Sequence, residues 1–356
     1  MEKRKIFMKS AGRRGYSRLA RVMTLAVMLL TLAAGGAWAQ EPTKYTVKMA
    51  ENTVDKDKWT ISPTEAAEGK PITATYSGTR HVKSVTAVTK AAAPAATVVD
   101  LSKLTADYEA QDGETLINTL GGNYKITIAD GATVTLDGVT INGVNDSEYL
   151  WAGITCAGEA TIILKGTNTV KGFYENYPGI YVPSGKTLTI QGDGSLTASP
   201  FDGGTDDSYG AGIGCGYQID CGNITIAGGT INATGGYYEA GIGGGKDSSC
   251  GDITITGGTI NATGGNSAAG IGSGYAAVNK TASCGNITIA NTVTKVTATK
   301  GDRAPNSIGK GRAGNSGTNT CGTVTIGGTV YWEGSAYQNG GDTYLTTSPY
   351  TYQPAN

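Results

Sequence analysis

From about residue 132 onward, apolar and polar residues alternate over very short runs. In Asn223-Ile224-Thr225-Ile226 both isoleucines fall on one side and Asn223 and Thr225 on the other, the period of two that a β-strand imposes. A second run, Thr230-Ile231-Asn232-Ala233-Thr234, alternates again before Gly235-Gly236. The whole block from Gly222 to Gly236 returns almost unchanged from Gly251 to Gly265, and degenerate copies begin at Thr133, Thr161, Thr187, Asn286 and Thr323. Aligned on the first copy, its inward position is expected at Val134, Ile162, Leu188, Ile224, Ile253, Ile287 and Val324. An amphipathic helix is excluded, because Thr-Ile-Asn-Ala-Thr-Gly-Gly has poor helix propensity and no 3.6-residue period.

Each copy but the last is followed by a second signature: Ala152-Gly153-Ile154, Pro178-Gly179-Ile180, Ala211-Gly212-Ile213, Ala240-Gly241-Ile242, Ala269-Gly270-Ile271 and Asn306-Ser307-Ile308. One coil therefore holds about three short strands, glycine turns, and an insertion of variable length before the Ala-Gly-Ile strand. A single coil cannot bury its apolar side. Coils stacked about 4.8 Å apart place isoleucine on isoleucine and pair every strand edge, and each inward Ile is then worth roughly 1.5–3 kcal/mol. The pattern predicts an all-β right-handed parallel β-helix of about seven coils over residues 132–327. Residues 99–131, with Leu101, Leu104, Leu116, Ile117 and Leu120, are expected to cap its start, and the tyrosine-rich residues 328–356 its end.

Upstream, Tyr45, Val47 and Met49, and again Ile72, Ala74 and Tyr76, alternate with polar residues around Trp59. They predict a small β module over residues 44–90, joined by a linker at 91–98.

The run Ala269-Gly270-Ile271-Gly272-Ser273-Gly274, together with Cys221-Gly222-Asn223-Ile224-Thr225-Ile226-Ala227-Gly228-Gly229-Thr230, resembles a family of secreted repeat proteins of gut Bacteroidetes and Firmicutes. Its members are often described as carbohydrate-binding-domain proteins. The likeness covers about residues 100 to 350 and implies the β-helix fold and export. It brings no catalytic motif to carry over.

Composition narrows the class further. The chain of 356 residues has 55 glycines and only 16% charged residues, which fits a turn-rich all-β protein. Eight Lys and Arg between Lys3 and Arg21 precede an apolar run, Val22 to Ala34, and then Ala37-Trp38-Ala39. That is the grammar of a secretory signal peptide over residues 1–39, cleaved near Ala39/Gln40, and the run is too short to span a bilayer. Of the 28 basic and 29 acidic residues, 20 and 28 would remain. A chain near −8 is a poor partner for nucleic acid. The expected product is a monomer, secreted or held at the cell surface, with no membrane span.

The only histidine, His81, lies outside the repeats, so a Ser-His-Asp or Cys-His site has no base there and no catalytic residue is assigned. Asp202, Asp206 and Asp207 cluster in one insertion as solvated loop acids or oxygen ligands for calcium; no other cofactor is implied. An enzyme resembling polysaccharide lyases would need a basic residue beside them, and Arg303 and Arg312 lie coils away. Cys221, Cys250, Cys284 and Cys321 each precede the glycine that opens a coil, so stacking puts them in one column, as neighbouring disulfides or as a ladder of buried thiols. Cys156 and Cys215 share another column. Finally, the insertions carry Tyr149 and Trp151, then Phe173, Tyr174 and Tyr177, then Phe201 and Tyr209, then Tyr237 and Tyr238. In register these would form an aromatic stripe over four coils, either as loop anchors or as a platform for a glycan, free or on a host surface.

Overall fold

The structure, a computed structural model, describes residues 97–201 and 208–354 in full and, nearer the N-terminus, five strands. The chain divides into two compact units, Met1–Pro94 and Ala95–Asn356. In the first unit, Ile72–Tyr76 pairs antiparallel with Trp59–Ser62 and with Val22–Leu25, while Lys44–Thr46 pairs with Glu65–Ala67. Val22–Leu25 belongs to the apolar run read as a targeting segment, the rest of which lies outside the described residues, as do residues 47–49.

The second unit is an all-β parallel β-helix. Its first sheet stacks Val98–Asp100, Thr115–Thr119, Ala132–Ile141, Ala160–Lys165, Thr187–Gly192, Asn223–Ile226, Ile253–Ile255, Ile287–Ile289 and Val324–Ile326, each parallel to the next. A second column runs from the end of Ala132–Ile141 through Thr167–Lys171, Ser195–Ser199, Thr230–Thr234 and Thr259–Thr263 to Lys295–Thr299. The Ala-Gly-Ile strands form an eight-stranded sheet from Tyr108–Ala110 to Ile308–Gly309. In it Ile154, Ile180, Ile213, Ile242, Ile271 and Ile308 lie directly over one another, all fully buried.

Two expectations are corrected. Residues 99–131 are more than a cap: Leu101 and Leu104 pack on the core at the start, but Thr115–Thr119 is a rung of the first sheet, and Tyr108–Ala110 and Ile126–Ile128 are rungs of the third. Their glycine-poor sequence hides the repeat, but Leu116, Ile126 and Ile128 still point inward and are fully buried. The inward column is also two residues out of step with the sequence alignment in its first copies. Val134 and Ile162 stack under Ile190, Ile226, Ile255, Ile289 and Ile326, whereas Leu188 stacks on Ala160. A shift of two keeps every side chain on its own face, so the core is unaffected.

Backbone chemistry fixes the rung spacing. Gly214, Gly243 and Gly272 lie in register at φ of 138°, 123° and 138°, and a Cβ on any of them would overlap the carbonyl oxygen of the glycine on the next rung. On the first sheet, the side-chain oxygens of Asn223, Asp252 and Asn286 each accept the backbone N–H one rung on, from Asp252 (2.8 Å), Asn286 (2.7 Å) and Thr323 (2.9 Å). Beside this ladder, Thr133, Thr161, Thr189, Thr225, Thr254, Thr288 and Thr325 form an unbroken outer row. Asn168 is the polar exception on an inward column; it is fully buried and spends its amide on Val139 N–H and on the Lys165 and Ser195 carbonyls.

At the far end the chain reverses. Thr329–Glu333 runs antiparallel along Val324–Ile326, and Tyr350–Tyr352 along Lys295–Thr299, covering two open edges with the help of Trp332, Leu345 and Tyr350, all buried. Among the described residues no helix is long and apolar enough to cross a membrane.

Candidate functional site

The expected four-coil aromatic stripe divides in two. Near the start, Tyr149 meets Trp151 and Phe173 edge-on at centroid separations of 5.3 and 6.4 Å, and Trp151 tilts against Phe173 at 5.8 Å. Phe173 is fully buried, and Trp151 Nε1 is buried without an acceptor. The rings pack on each other and the indole N–H finds no acceptor, so burial rather than indole hydrogen bonding holds the cluster together. Tyr174 and Tyr177 occupy the turn that follows, where Tyr177 N–H donates to the Tyr174 carbonyl. The Tyr174 hydroxyl is held above the usual phenol range, first by its hydrogen bond to Glu175.

Farther along, the rings form a ridge. Tyr209 lies 6.2 Å from Tyr238 with planes 19° apart, and Tyr238 lies 4.9 Å from Tyr275 with planes 28° apart. Tyr237 meets Tyr238 edge-on at 4.5 Å, and Tyr217 tilts against Tyr209 at 5.9 Å. The Lys246 ammonium stands 4.9 Å from the Tyr217 and Tyr238 centroids and 5.4 Å from that of Tyr209, within the range of cation–π attraction. All six side chains are half-buried. Stacking turns several ring faces toward other rings of the row.

Tyr217, Lys246 and Tyr275 were not singled out in the sequence, although the signal was there. Each stands sixth after the alanine of Ala-Gly-Ile-Gly-x-Gly, so coil stacking puts Tyr217, Lys246 and Tyr275 in one column. Tyr209 and Tyr238 both stand two residues before that alanine and make a second column beside it. Counting aromatics within insertions alone missed the lysine between them.

Under the ridge lies Glu239, fully buried. Its carboxylate accepts the backbone N–H of Tyr238 at 2.9 Å and of Lys246 at 3.1 Å, fixing the two residues at the ridge's centre. Burial pushes its carboxyl up to about 8, against the pull of those two donors and the Lys246 charge. Desolvation dominates because a carboxylate inside a dry β-helix loses more hydration than two amide donors replace.

Asp202, Asp206 and Asp207, the calcium candidates, lie outside the described residues. The cysteines depart from a simple ladder. Cys250, Cys284 and Cys321 stack in register, but Cys221 bonds to Cys215 within its own coil, across a Cα separation of 4.9 Å. The tight Gly214-to-Gly222 loop makes that link, and strand stacking alone gave no hint of it. Cys156 is buried and unbonded, its thiol pushed up to about 12 by burial.

Residues 188–217, 224–246 and 253–275 match the beta helix repeat family, the stretch that carries the ridge and the clearest copies. No curated protein and no solved structure matches the chain.

Proposed function

We propose that this chain is an exported surface protein without chemistry of its own, which binds a glycan through the ridge of Tyr209, Tyr217, Tyr237, Tyr238, Tyr275 and Lys246. The observation that carries the reading is the ridge's construction. Rigid, amphipathic tyrosines are repeated coil after coil and anchored from below by Glu239. Tyrosine offers a large contact area at low entropic cost, with an apolar body for the C–H side of a sugar and a hydroxyl for its polar side. A row that advances one coil at a time suits an extended chain better than a compact ligand. Trp151 and Tyr149, packed into their own cluster, serve the fold in this reading.

A glycan array with the full chain tests it. Binding to at least one polysaccharide is expected, and Tyr238→Ala should weaken it tenfold or more, while Tyr149→Ala leaves it within twofold. An array with no hits, or a Tyr238→Ala variant that binds like the parent, supports a structural stalk instead. Calcium-dependent release of unsaturated sugars from polygalacturonate would point to an enzyme resembling polysaccharide lyases.

A further inference from the structure

We infer that Cys284 and Cys321 form a second disulfide, between consecutive coils, and that Cys250 is the thiol left over in their column. The strands Ser249–Cys250, Thr281–Cys284 and Thr318–Cys321 pair parallel and in register, with Cys250 beside Cys284 and Cys284 beside Cys321. Neighbours in a parallel sheet sit about 4.8 Å apart, inside the Cα range that a disulfide spans without backbone movement. Cys221, which would extend the column on the other side, is taken by Cys215. Three thiols remain, enough for one bond, and Cys284 is the middle one. The sulfur positions choose between its neighbours: Cys284 Sγ lies 2.8 Å from Cys321 Sγ. Cys321 lies on the last rung of this three-strand ladder, which has a neighbour in it on one side only and so the least stacking energy. A covalent tie between coils acts there to most effect.

The bond forms by exchange with a disulfide-class oxidant. Cys321, the most exposed of the three residues at 8%, attacks the oxidant as a thiolate and makes a mixed disulfide, releasing one small thiol. The Cys284 sulfur then displaces the second small thiol as its own proton leaves. In sum two protein thiols become one disulfide and one disulfide of the oxidant becomes two thiols, so electrons and protons balance.

The purified full chain, incubated with oxidised glutathione, denatured, alkylated and mapped by mass spectrometry, tests this whatever the ridge binds. The expected map shows a Cys215–Cys221 link, a Cys284–Cys321 link, and alkylation at Cys156 and Cys250 alone. In Cys284→Ser the alkylated set should grow by Cys321. Alkylation of both Cys284 and Cys321 in the oxidised parent would overturn the inference, and so would a Cys250–Cys284 link. Because the parent chain alone decides the matter, a variant that fails to fold leaves the test intact.

Discussion

Glu239 shows how much one side chain can do in this fold. Its carboxyl is shut inside the β-helix and titrates at about 8, largely because burial disfavours the charge, whereas in the unfolded chain it ionises near the ordinary value of about 4.3. The folded state therefore holds the proton more tightly. The stability tied to this group is fully present below the unfolded value, falls as pH rises toward 8, and is lost above it. The slope is at most about 1.4 kcal/mol per pH unit. Urea unfolding of the parent and of Glu239→Gln between pH 5 and pH 9 checks this. The parent should lose stability relative to the variant across that window, and parallel curves would mean that the carboxyl ionises in the folded chain as freely as in water. The same residue holds Tyr238 and Lys246 by their backbones, so its ionisation bears on the ridge as well as on stability.

At the scale of the strand, the two faces have different jobs. Ile255 is fully buried between Ile226 and Ile289, while its neighbour Thr254 faces outward in the threonine row. Ile255→Ala should cost about 2–5 kcal/mol, as transfer and cavity terms add in a stack that cannot collapse sideways. Thr254→Ala should stay within about 0.5 kcal/mol. Chemical denaturation of the two variants reads the difference directly, and similar losses for both would contradict the alternating burial. The Asn223, Asp252 and Asn286 ladder makes a related point. These polar residues stand beside the outer threonine row, and each serves the backbone of the next rung.

For the molecule as a whole, the decisive feature is that a stack of rungs must end. Residues beyond 327 fold back along the edges of Val324–Ile326 and Lys295–Thr299, and unpaired parallel edges recruit other chains. A chain truncated after Gly327 should associate at concentrations where the full chain remains monomeric, as read by light scattering. A monomeric truncated chain with unchanged unfolding would show that the edges need no cover.

The sequence by itself determined the coil, its three strands and the inward face. Alternation in Asn-Ile-Thr-Ile and near-identical copies leave stacking as the only way to bury the isoleucines, and stacking like on like tolerates an alignment error of two residues. Only the tertiary structure decided where the β-helix begins, because residues 99–131 keep the burial pattern without the glycine signature. It also decided which rings meet, and that Cys215 takes Cys221. Those outcomes lie in turns and insertions, where no period dictates side-chain direction and the path of the loop alone sets the neighbours.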